Sequence, residues 1–414
     1  YYGLLMEQRT GKSKVVIDAA AIAHSKGRIN ALLIIAPNGV HRNWANIEVP
    51  RHMPDWVERY TTFWSAEQTK KRTTALEELF APGHHLRILS MNIEALTTRR
   101  GAEFARRFLN ATDAMMVVDE STRIKNPTAA CTKAVLKLRD QAKMRMILNG
   151  TPITQSPLDM YAQLLFLDEY AVPVQSWVAF RARYADFLPA SHPVVQSIMR
   201  KSGTRWAPQI IATNKDGSPA YKNIEELKEW VDRCCYRVLR KDCSDMPEKL
   251  YKRWEVVMPP EQRKIIDEHL SNMKNGHVPE PINKLEAVLY YQQMLCGMVP
   301  AKLTGGDALN IFAKPEDNPR IQALFEIIDD NPDASILIWA RFKKDLHEIS
   351  QAIETRYNAP VARYWGDIND EDRELAVSSF QAKVVRYFVG QQGAGGVGLT
   401  LSAADVMVYH SNDF

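Results

Sequence analysis

The stretch AMMVVDES, residues 114–121, is an apolar run that ends in two carboxylates and a hydroxyl group. Strands that are apolar along most of their length are buried on both faces, which is typical of a parallel sheet covered by helices. Helical patterns such as VVIDAAAIAHSKG (15–27) separate the runs, so residues 1–168 are predicted to form an α/β lobe. Three further stretches have the same form: ALLIIAPN (31–38), LRILSMN (86–92) and MRMILNGTP (144–152).

The alternation of apolar strand patterns with helical patterns returns near the end of the chain. The segment between the two α/β regions has a different pattern. Residues 316–414 contain the buried-strand pattern SILIWA (335–340), followed by an amphipathic helix and further strand patterns. Residues 169–315 are mostly helical in pattern, with one expected strand, YKRWEVVM (251–258). The predicted fold class is therefore α/β, with two parallel-sheet lobes (1–168 and 316–414) and a mostly helical insertion (169–315).

Composition excludes several classes of protein. The chain has 414 residues, of which 45% are apolar and 25% charged, so wholesale disorder is excluded. No apolar run approaches the ~18 residues that span a membrane, and an intracellular protein is expected. The 53 basic and 49 acidic residues leave a net charge of +4, which permits nucleic acid without arguing for it. Five cysteines without C-x-x-C spacing argue against a disulfide framework or a zinc ribbon.

The loop RTGKS (9–13) lies between the apolar run YGLLM (2–6) and a predicted helix. In that context backbone N–H groups and the helix dipole hold a phosphate. Lys12 is expected to reach the β- and γ-phosphates of a nucleotide, and Ser13 to place its hydroxyl on Mg²⁺. Met6 stands where such loops have their first Gly, and a Gly-Lys-Ser triplet also occurs at ordinary helix starts. The loop alone therefore leaves both interpretations open.

Asp119 and Glu120 are an acidic pair at the end of a buried strand. Such a pair is costly to bury unless it meets a cation. Asp119 suits the Walker-B role on Mg²⁺, and Glu120 suits the base that orients the attacking water. The alternative is a helix N-terminus, where Asp, Glu and Ser are all common. Taken together with Lys12 and Ser13 in the same α/β lobe, the pair predicts an ATP hydrolase.

These segments, taken in order, resemble the Swi/Snf-type DNA-dependent ATPases of helicase superfamily two, a resemblance that covers nearly the whole chain. The segment VVDESTRIKN contains the acidic box of the family, with Ser121 and Thr122 where the family has Ala and His. The source is expected to be bacterial or phage. The matching motifs are MEQRTGKS (6–13), LIIAPNGVHRNW (33–44), VVDESTRIKN (117–126), RMILNGTPITQSPLDMYAQLLFLD (145–168), SILIWARF (335–342) and GAGGVGLTLSAAD (393–405).

The resemblance implies a motor of two RecA-like lobes, with ATP and Mg²⁺ in the cleft between them. Arg9 departs from the family, which has Gly there, and Thr122 replaces a His that links ATP to the other motifs. The arginine fingers of motif VI and the glutamine motif lie outside the sequence, so the motor is expected to continue at both ends. The residues expected to bind ATP are Arg9, Thr10, Gly11, Lys12, Ser13, Gly396 and Gly398.

The DNA contacts are expected to go to phosphates and sugars, because a translocase must hold any sequence. Each expected contact has an alternative as a solvated loop residue or a helix cap. Trp44, Trp339 and Trp365 are interpreted as core residues. The expected DNA-contacting residues are Asn38, Ser90, Asn92, Arg123, Lys125, Asn126, Thr151 and Thr400.

Three functional hypotheses follow from the sequence. The first is an ATP- and Mg²⁺-dependent translocase on double-stranded DNA, and the second is a strand-separating helicase of the same superfamily. The third is a nucleotide-switched DNA-binding scaffold that hydrolyses ATP slowly, which the changes at Arg9 and Thr122 make conceivable. No membrane partner is expected, and the sequence leaves the protein partners open.

Overall fold

The computed structural model describes residues 1–67, 69–153, 156–243, 250–274, 284–395, 399 and 401–412. The chain forms two compact units, Tyr1–Pro247 and Glu248–Phe414. Each unit contains its own sheet, and each is described separately below.

The first unit contains a seven-stranded sheet in the described part of the chain, with strand order β3-β4-β2-β5-β6-β1-β7. Every neighbouring pair in it is parallel. The carboxyl ends of all seven strands therefore lie along one edge. The strands are β1 (Tyr2–Met6), β2 (Ala31–Ala36), β3 (Arg59–Phe63), β4 (Leu86–Asn92), β5 (Ala114–Val118), β6 (Met144–Leu148) and β7 (Cys235–Val238).

Apolar side chains cover both faces of this sheet, because successive residues of a strand point to opposite sides. In β2, Leu33 and Ile35 join one core cluster, and Leu32 and Ile34 join the other. All four are fully buried. The sheet is thus a middle layer between two layers of helices, which is the reason its strands are apolar throughout.

The helices of the first unit pack on these two faces. A π-helical turn, Trp44–Glu48, joins two short helices after β2. Such turns are uncommon and often lie at functional sites. The helices are α1 (Lys12–Ser25), α2 (Val40–Asn43), α3 (Val49–His52), α4 (Lys70–Glu77), α5 (Arg99–Ala111), α6 (Ala130–Leu138), α7 (Met160–Leu167), α8 (Trp177–Tyr184), α9 (Pro193–Ser202) and α10 (Ile224–Cys234).

Among its described residues, the second unit has a four-stranded parallel sheet of order β11-β12-β10-β13. Its described strands are β10 (Ile336–Ala340), β11 (Val361–Tyr364), β12 (Tyr387–Gln391) and β13 (Val406–Tyr409), and a small antiparallel pair, β8 (Met298–Val299) and β9 (Leu309–Asn310), precedes them. Its helices are α11 (Pro260–Lys274), α12 (Lys284–Leu295), α13 (Ala301–Thr304), α14 (Pro319–Asp329), α15 (Lys343–Tyr357), α16 (Asp370–Gln381) and α17 (Gln392–Gly395).

The predicted fold class, α/β with two parallel-sheet lobes, is confirmed. The strand expected at 251–258 is absent, since those residues belong to no helix or strand. The three-part division of the chain stays a prediction, and the structure adds that 169–247 belong to the first compact unit and 248–315 to the second. Within the described chain, no helix combines the length and apolar character needed to cross a membrane.

Candidate functional site

The carboxyl edge of the seven-stranded sheet brings three sequence-predicted segments together. The loop before Lys12 follows β1, Asp119 follows β5 and Asn149 follows β6. Strand β6 lies between β1 and β5 in the sheet. In parallel α/β sheets, ligands bind at this edge. The topology therefore makes one site of residues that lie more than a hundred positions apart in the chain.

The loop between β1 and α1 folds back on itself around the Lys12 ammonium group. Lys12 Nζ donates to the carbonyl oxygens of Met6 at 2.9 Å and Glu7 at 3.1 Å. Thr10 Oγ1 also donates to the Glu7 carbonyl, at 2.7 Å. Gly11 has φ +92°, in the region that favours glycine, although a Cβ there would meet no atom within 4 Å. Backbone conformation rather than space therefore requires glycine at this position.

Arg9 is exposed and also has a positive φ, of 66°. A left-handed backbone costs a non-glycine residue roughly 1–2 kcal/mol. This strain explains in physical terms why a glycine suits the position. The Arg9 side chain projects from the loop and contacts no charged partner among the residues that the structure describes.

Lys12 lies in an acidic environment that is partly removed from water. Burial lowers the pKa of Lys12, while the charges of Glu120, Asp119 and Glu7 act in the opposite direction. Glu7 itself is held in place, because its Oε2 accepts from the backbone N–H of Arg240 at 2.8 Å. The loop after β1 is thereby tied to the segment after β7.

Asp119 is fixed from two sides. Trp44 Nε1 donates to Asp119 Oδ2 at 2.8 Å, and the backbone N–H of Glu120 donates to Oδ1 at 3.0 Å. The Asp119 backbone N–H continues the sheet by donating to Ile35 O at 2.8 Å. Burial raises the pKa of the Asp119 carboxyl, and the bond from Trp44 opposes that rise. The indole N–H therefore both orients this carboxylate and favours its charged form.

Glu120 adopts a left-handed backbone conformation, with φ 49° and ψ 57°. Burial raises the pKa of its carboxyl, and the neighbouring charge of Asp119 raises it further. Its side chain makes no hydrogen bond to a described residue. Strained backbone of this kind persists where surrounding contacts impose it and is often found at functional sites.

A buried network of polar side chains lies directly behind the acidic pair. Ser121 Oγ donates to Gln163 Oε1 at 2.6 Å, and Asn149 Nδ2 donates to Ser121 Oγ at 3.2 Å. Gln163 Nε2 donates to the carbonyl oxygens of Pro152 at 3.0 Å and Asp159 at 2.9 Å. All three side chains are fully buried. The network joins the segment after β5 to the segment after β6 and to α7.

The donor set at this edge fits a magnesium–nucleotide complex. In the described part of the chain, no group of three His, Cys, Asp or Glu side chains could hold a metal by itself. Mg²⁺ is commonly bound by one or two carboxylates together with substrate phosphates and water. Asp119, with its raised pKa, gains from a nearby cation, and Ser13 has a partly exposed hydroxyl group at the start of α1. Lys12 supplies the positive charge that a phosphate needs.

The residues predicted to contact DNA fall into three groups. Asn38, Arg123, Asn126 and Thr151 are exposed, and Asn92 and Lys125 are partly exposed. Gly396, Gly398 and Thr400, predicted for the nucleotide or DNA, lie outside the described residues. Ser90 is the exception.

The structure places Ser90 in the core instead of on the surface. Its side chain is 0% exposed, and its hydroxyl donates to the carbonyl oxygen of His41 at 2.7 Å. The single hydrogen of this buried hydroxyl is already donated to a carbonyl, so none is left to donate to a phosphate. Ser90 is therefore a structural residue that fixes the segment after β2.

Sequence reasoning missed Trp44, Glu7 and Gln163 as parts of the site. Trp44 was interpreted as core, and it is buried, but its ring N–H serves Asp119. The signal for Gln163 was available, since an amide inside the apolar helix sequence MYAQLLFL must find hydrogen-bond partners. No local signal distinguishes Glu7 from other loop carboxylates.

A parallel sheet with a lysine-bearing loop and an acidic pair at its carboxyl edge is typical of nucleotide-binding α/β proteins. Residues 6–295 match the SNF2-related domain, and residues 319–414 match the helicase conserved C-terminal domain. The chain belongs to the SNF2-related family. The family resemblance and the enzyme class predicted from the sequence, a helicase-superfamily ATPase, are thereby confirmed.

Individual relatives are distant. The chain is 21% identical over its full length to mouse Chromodomain-helicase-DNA-binding protein 1-like, of which it covers 42%. It is 24% identical to SWI/SNF-related matrix-associated actin-dependent regulator of chromatin subfamily A-like protein 1 of Xenopus tropicalis, covering 98% of this chain and 37% of that protein. A solved structure, the Sulfolobus solfataricus SWI2/SNF2 ATPase core in complex with dsDNA, is similar at a TM-score of 0.42 and 20% identity, covering 99% of this chain and 77% of that one. The chain thus spans less than half the length of these curated relatives.

Proposed function

We propose that this chain is the ATP-hydrolysing motor of a translocase that moves along double-stranded DNA. The observation that carries the proposal is the meeting of Lys12, Asp119 and Glu120 at one sheet edge, with Asp119 held by the Trp44 indole. These are the cation, the metal ligand and the base that phosphoryl transfer requires. Membership of the SNF2-related family supports the same activity.

Each residue has a defined part in the proposed reaction. Lys12 and Ser13 would hold a magnesium–ATP complex at the start of α1, with Asp119 as the carboxylate ligand of the metal. When bound, Mg²⁺ would supply charge neutralisation on the phosphate oxygens. Glu120, whose raised pKa brings the carboxyl closer to neutral pH, would accept a proton from the attacking water. Thr10, Gly11 and Arg9 would complete the loop around the phosphates.

The second lobe would complete the site through the glycine-rich segment at its end. Gly396 and Gly398 are proposed to approach the nucleotide, because glycine lets backbone come close to phosphate. Cyclic closing and opening of the lobes around ATP would then move them along DNA. Arg123, Asn38 and Thr151, which are exposed near the sheet edge, are proposed to contact the DNA backbone without reading sequence. Asn92, Lys125, Asn126 and Thr400 are proposed as further backbone contacts.

The direct test is ATP turnover of the protein with and without duplex DNA. Stimulation by duplex DNA is expected, and its absence would contradict the proposal. Lys12→Ala and Glu120→Gln are expected to reduce turnover to background, because they remove the phosphate-binding cation and the proton acceptor. Turnover that persists in either variant would remove that assignment.

Translocation and strand separation are distinguished by a second pair of assays. A translocase displaces the third strand of a triplex while leaving a fluorescent duplex intact. A strand-separating helicase releases the labelled strand of the duplex. We expect triplex displacement alone, with ATP required. Weak turnover with no displacement in either assay would favour a nucleotide-switched scaffold instead.

A further inference from the structure

The charge of this protein is unevenly distributed along the first unit. No acidic residue occurs between Asp186 and Asp216, and the segment 187–215 has a formal charge of +4. The net charge of the whole chain is also +4, so the remaining residues are balanced. We call residues 187–215 the basic segment. Its four cations are Arg200, Lys201, Arg205 and Lys215.

The two ends of the basic segment are held by paired charges. Extended pieces of chain pair through Ala185 with Tyr221 and Phe187 with Ile211. Beside them, Lys222 Nζ lies 2.6 Å from Asp186 Oδ1, an ion pair between residues just outside the two ends of the segment. Further contacts between α8 and α10 include the Arg183–Glu226 pair, at 2.7 Å. The cations that flank the basic segment, Arg183 and Lys222, therefore have carboxylate partners.

The cations in the middle of the basic segment lack such partners. Arg200, Lys201 and Arg205 are exposed, and none forms an ion pair with any residue that the structure describes. Helix α9, which bears the first two, is anchored by the fully buried Val195 and ends at Gly203, whose φ is +65°. The three unpaired cations are thus displayed by an ordered helix and the turn that follows it.

Apolar side chains share this surface. Trp206 is 86% exposed, next in sequence to Arg205. On α9, Val194 and Ile198 are 48% and 41% exposed, and their helical spacing places them on the same face as Lys201. An exposed indole beside unpaired cations is suited to nucleic acid, where cations track the phosphates and an aromatic ring contacts sugars or bases.

We propose that the surface formed by Arg200, Lys201, Arg205 and Trp206 binds the backbone of duplex DNA. The occupant follows from charge complementarity, because an uncompensated +4 segment matches a polyanion, and its duplex form rests on the proposed function. This surface belongs to the chain between α8 and α10 and shares no residue with the loops at the sheet edge. The surface therefore increases the affinity for DNA and takes no part in ATP hydrolysis.

The experiment compares two charge-matched triple variants of the full chain. Arg200→Ala, Lys201→Ala and Arg205→Ala remove the proposed contacts. Lys133→Ala and Lys137→Ala on α6, combined with Lys143→Ala, remove three exposed cations elsewhere in the same unit. Binding to a fluorescent duplex is measured by anisotropy without nucleotide, at increasing salt. Urea unfolding establishes that each variant is folded.

Counterion release sets the expected size of the effect. Loss of three phosphate contacts lowers the slope of log affinity against log salt by about 2.7, since each contact contributes about 0.9. The ratio of the duplex-DNA affinity of the unmodified chain to that of the basic-segment variant should therefore fall by about 40-fold between about 50 and about 200 mM salt. The α6 variant should retain the original slope. Equal changes in both variants, or none in the first, would overturn the proposal.

Two further measurements separate this proposal from the proposed function. ATP turnover at saturating DNA should be unchanged in the basic-segment variant, whereas the DNA concentration for half-stimulation should rise at least as much as the affinity falls. Lack of DNA stimulation in the unmodified chain would refute the motor function while leaving the binding comparison intact. Trp206→Ala should weaken duplex binding several-fold. If it weakens binding to single strands only, the surface serves single-stranded DNA and the duplex assignment fails.

Discussion

Removal of the indole donor from Asp119 tests the candidate site most directly. Trp44 is 1% exposed, and its Nε1 lies 2.8 Å from Asp119 Oδ2. Phenylalanine keeps an aromatic ring at this position and removes the N–H group together with part of the buried indole volume. A hydrogen bond to a charged group contributes about 1.5–3 kcal/mol. Residues that orient a metal ligand typically change metal affinity or activity by about 10–100-fold when they are altered.

Trp44→Phe is therefore expected to raise the Mg²⁺ concentration needed for half-maximal ATP turnover by about 10–100-fold. Turnover at saturating Mg²⁺ should recover most of its original value, because Lys12 and Glu120 are untouched. The assay is a Mg²⁺ titration of steady-state ATP hydrolysis at fixed ATP and saturating duplex DNA. Urea unfolding of the same samples measures any loss of packing.

Trp365 provides the matched control. It is also 1% exposed, but its ring N–H has no hydrogen-bond partner in the described structure. Trp365→Phe should cost a similar amount of packing and leave the Mg²⁺ requirement unchanged. The reasoning fails if both variants shift the Mg²⁺ titration equally. It also fails if Trp44→Phe lowers turnover at every Mg²⁺ concentration by the same factor, since Trp44 would then only fill space.

Further expectations concern stability. Gln163→Leu leaves the Ser121 hydroxyl without its acceptor and the Pro152 carbonyl without its side-chain donor. It should lower the free energy of unfolding by about 1–3 kcal/mol for each unpaired group, measured in urea, and an unchanged midpoint would contradict the network. Burial raises the pKa of Asp345 from 3.8 to about 6, so its contribution to stability is lost as pH rises between those values. Burial lowers the pKa of His410 from 6.5 to about 3, which has the opposite effect over pH 3–6.5. Asp345→Asn should therefore make stability rise more steeply with pH between 3.8 and about 6, whereas a pH dependence like that of the unmodified chain would refute the assignment.

The strands that sequence could predict are those that are buried on both faces. β2 and β5 are apolar throughout, and a parallel sheet follows from that pattern. β3, with the sequence RYTTF, and β7, with CYRV, lie at the two edges of the sheet and have too few apolar residues to stand out. Conversely, residues 251–258 have a strand-like composition, but none of the strands that the structure describes pairs with them. Partner strands decide such cases, and a local pattern does not reveal the partner.

The residues of the candidate site also fall into those that the sequence predicts and those that it does not. Lys12, Asp119 and Glu120 were predictable because each belongs to a short motif beside a strand. Trp44 contacts Asp119 across 75 positions, and Gln163 contacts Ser121 across 42. Side chains such as those of Trp44 and Gln163 are predicted as core residues from their apolar surroundings in the sequence. Only the tertiary structure shows which polar atom each of them bonds to.

The three consecutive residues after β5 have different constraints, and the difference bears on catalysis. Asp119 is fixed to the segment after β2 through Trp44, and Ser121 is fixed to the segment after β6 through Asn149 and Gln163. Between them Glu120 takes a left-handed backbone and has no hydrogen bond from its carboxylate to a described residue. The neighbours therefore impose the strain and aim a side chain that stays free to meet a reactant. On this reasoning the buried network of Ser121, Asn149 and Gln163 sets the position of the proposed catalytic base.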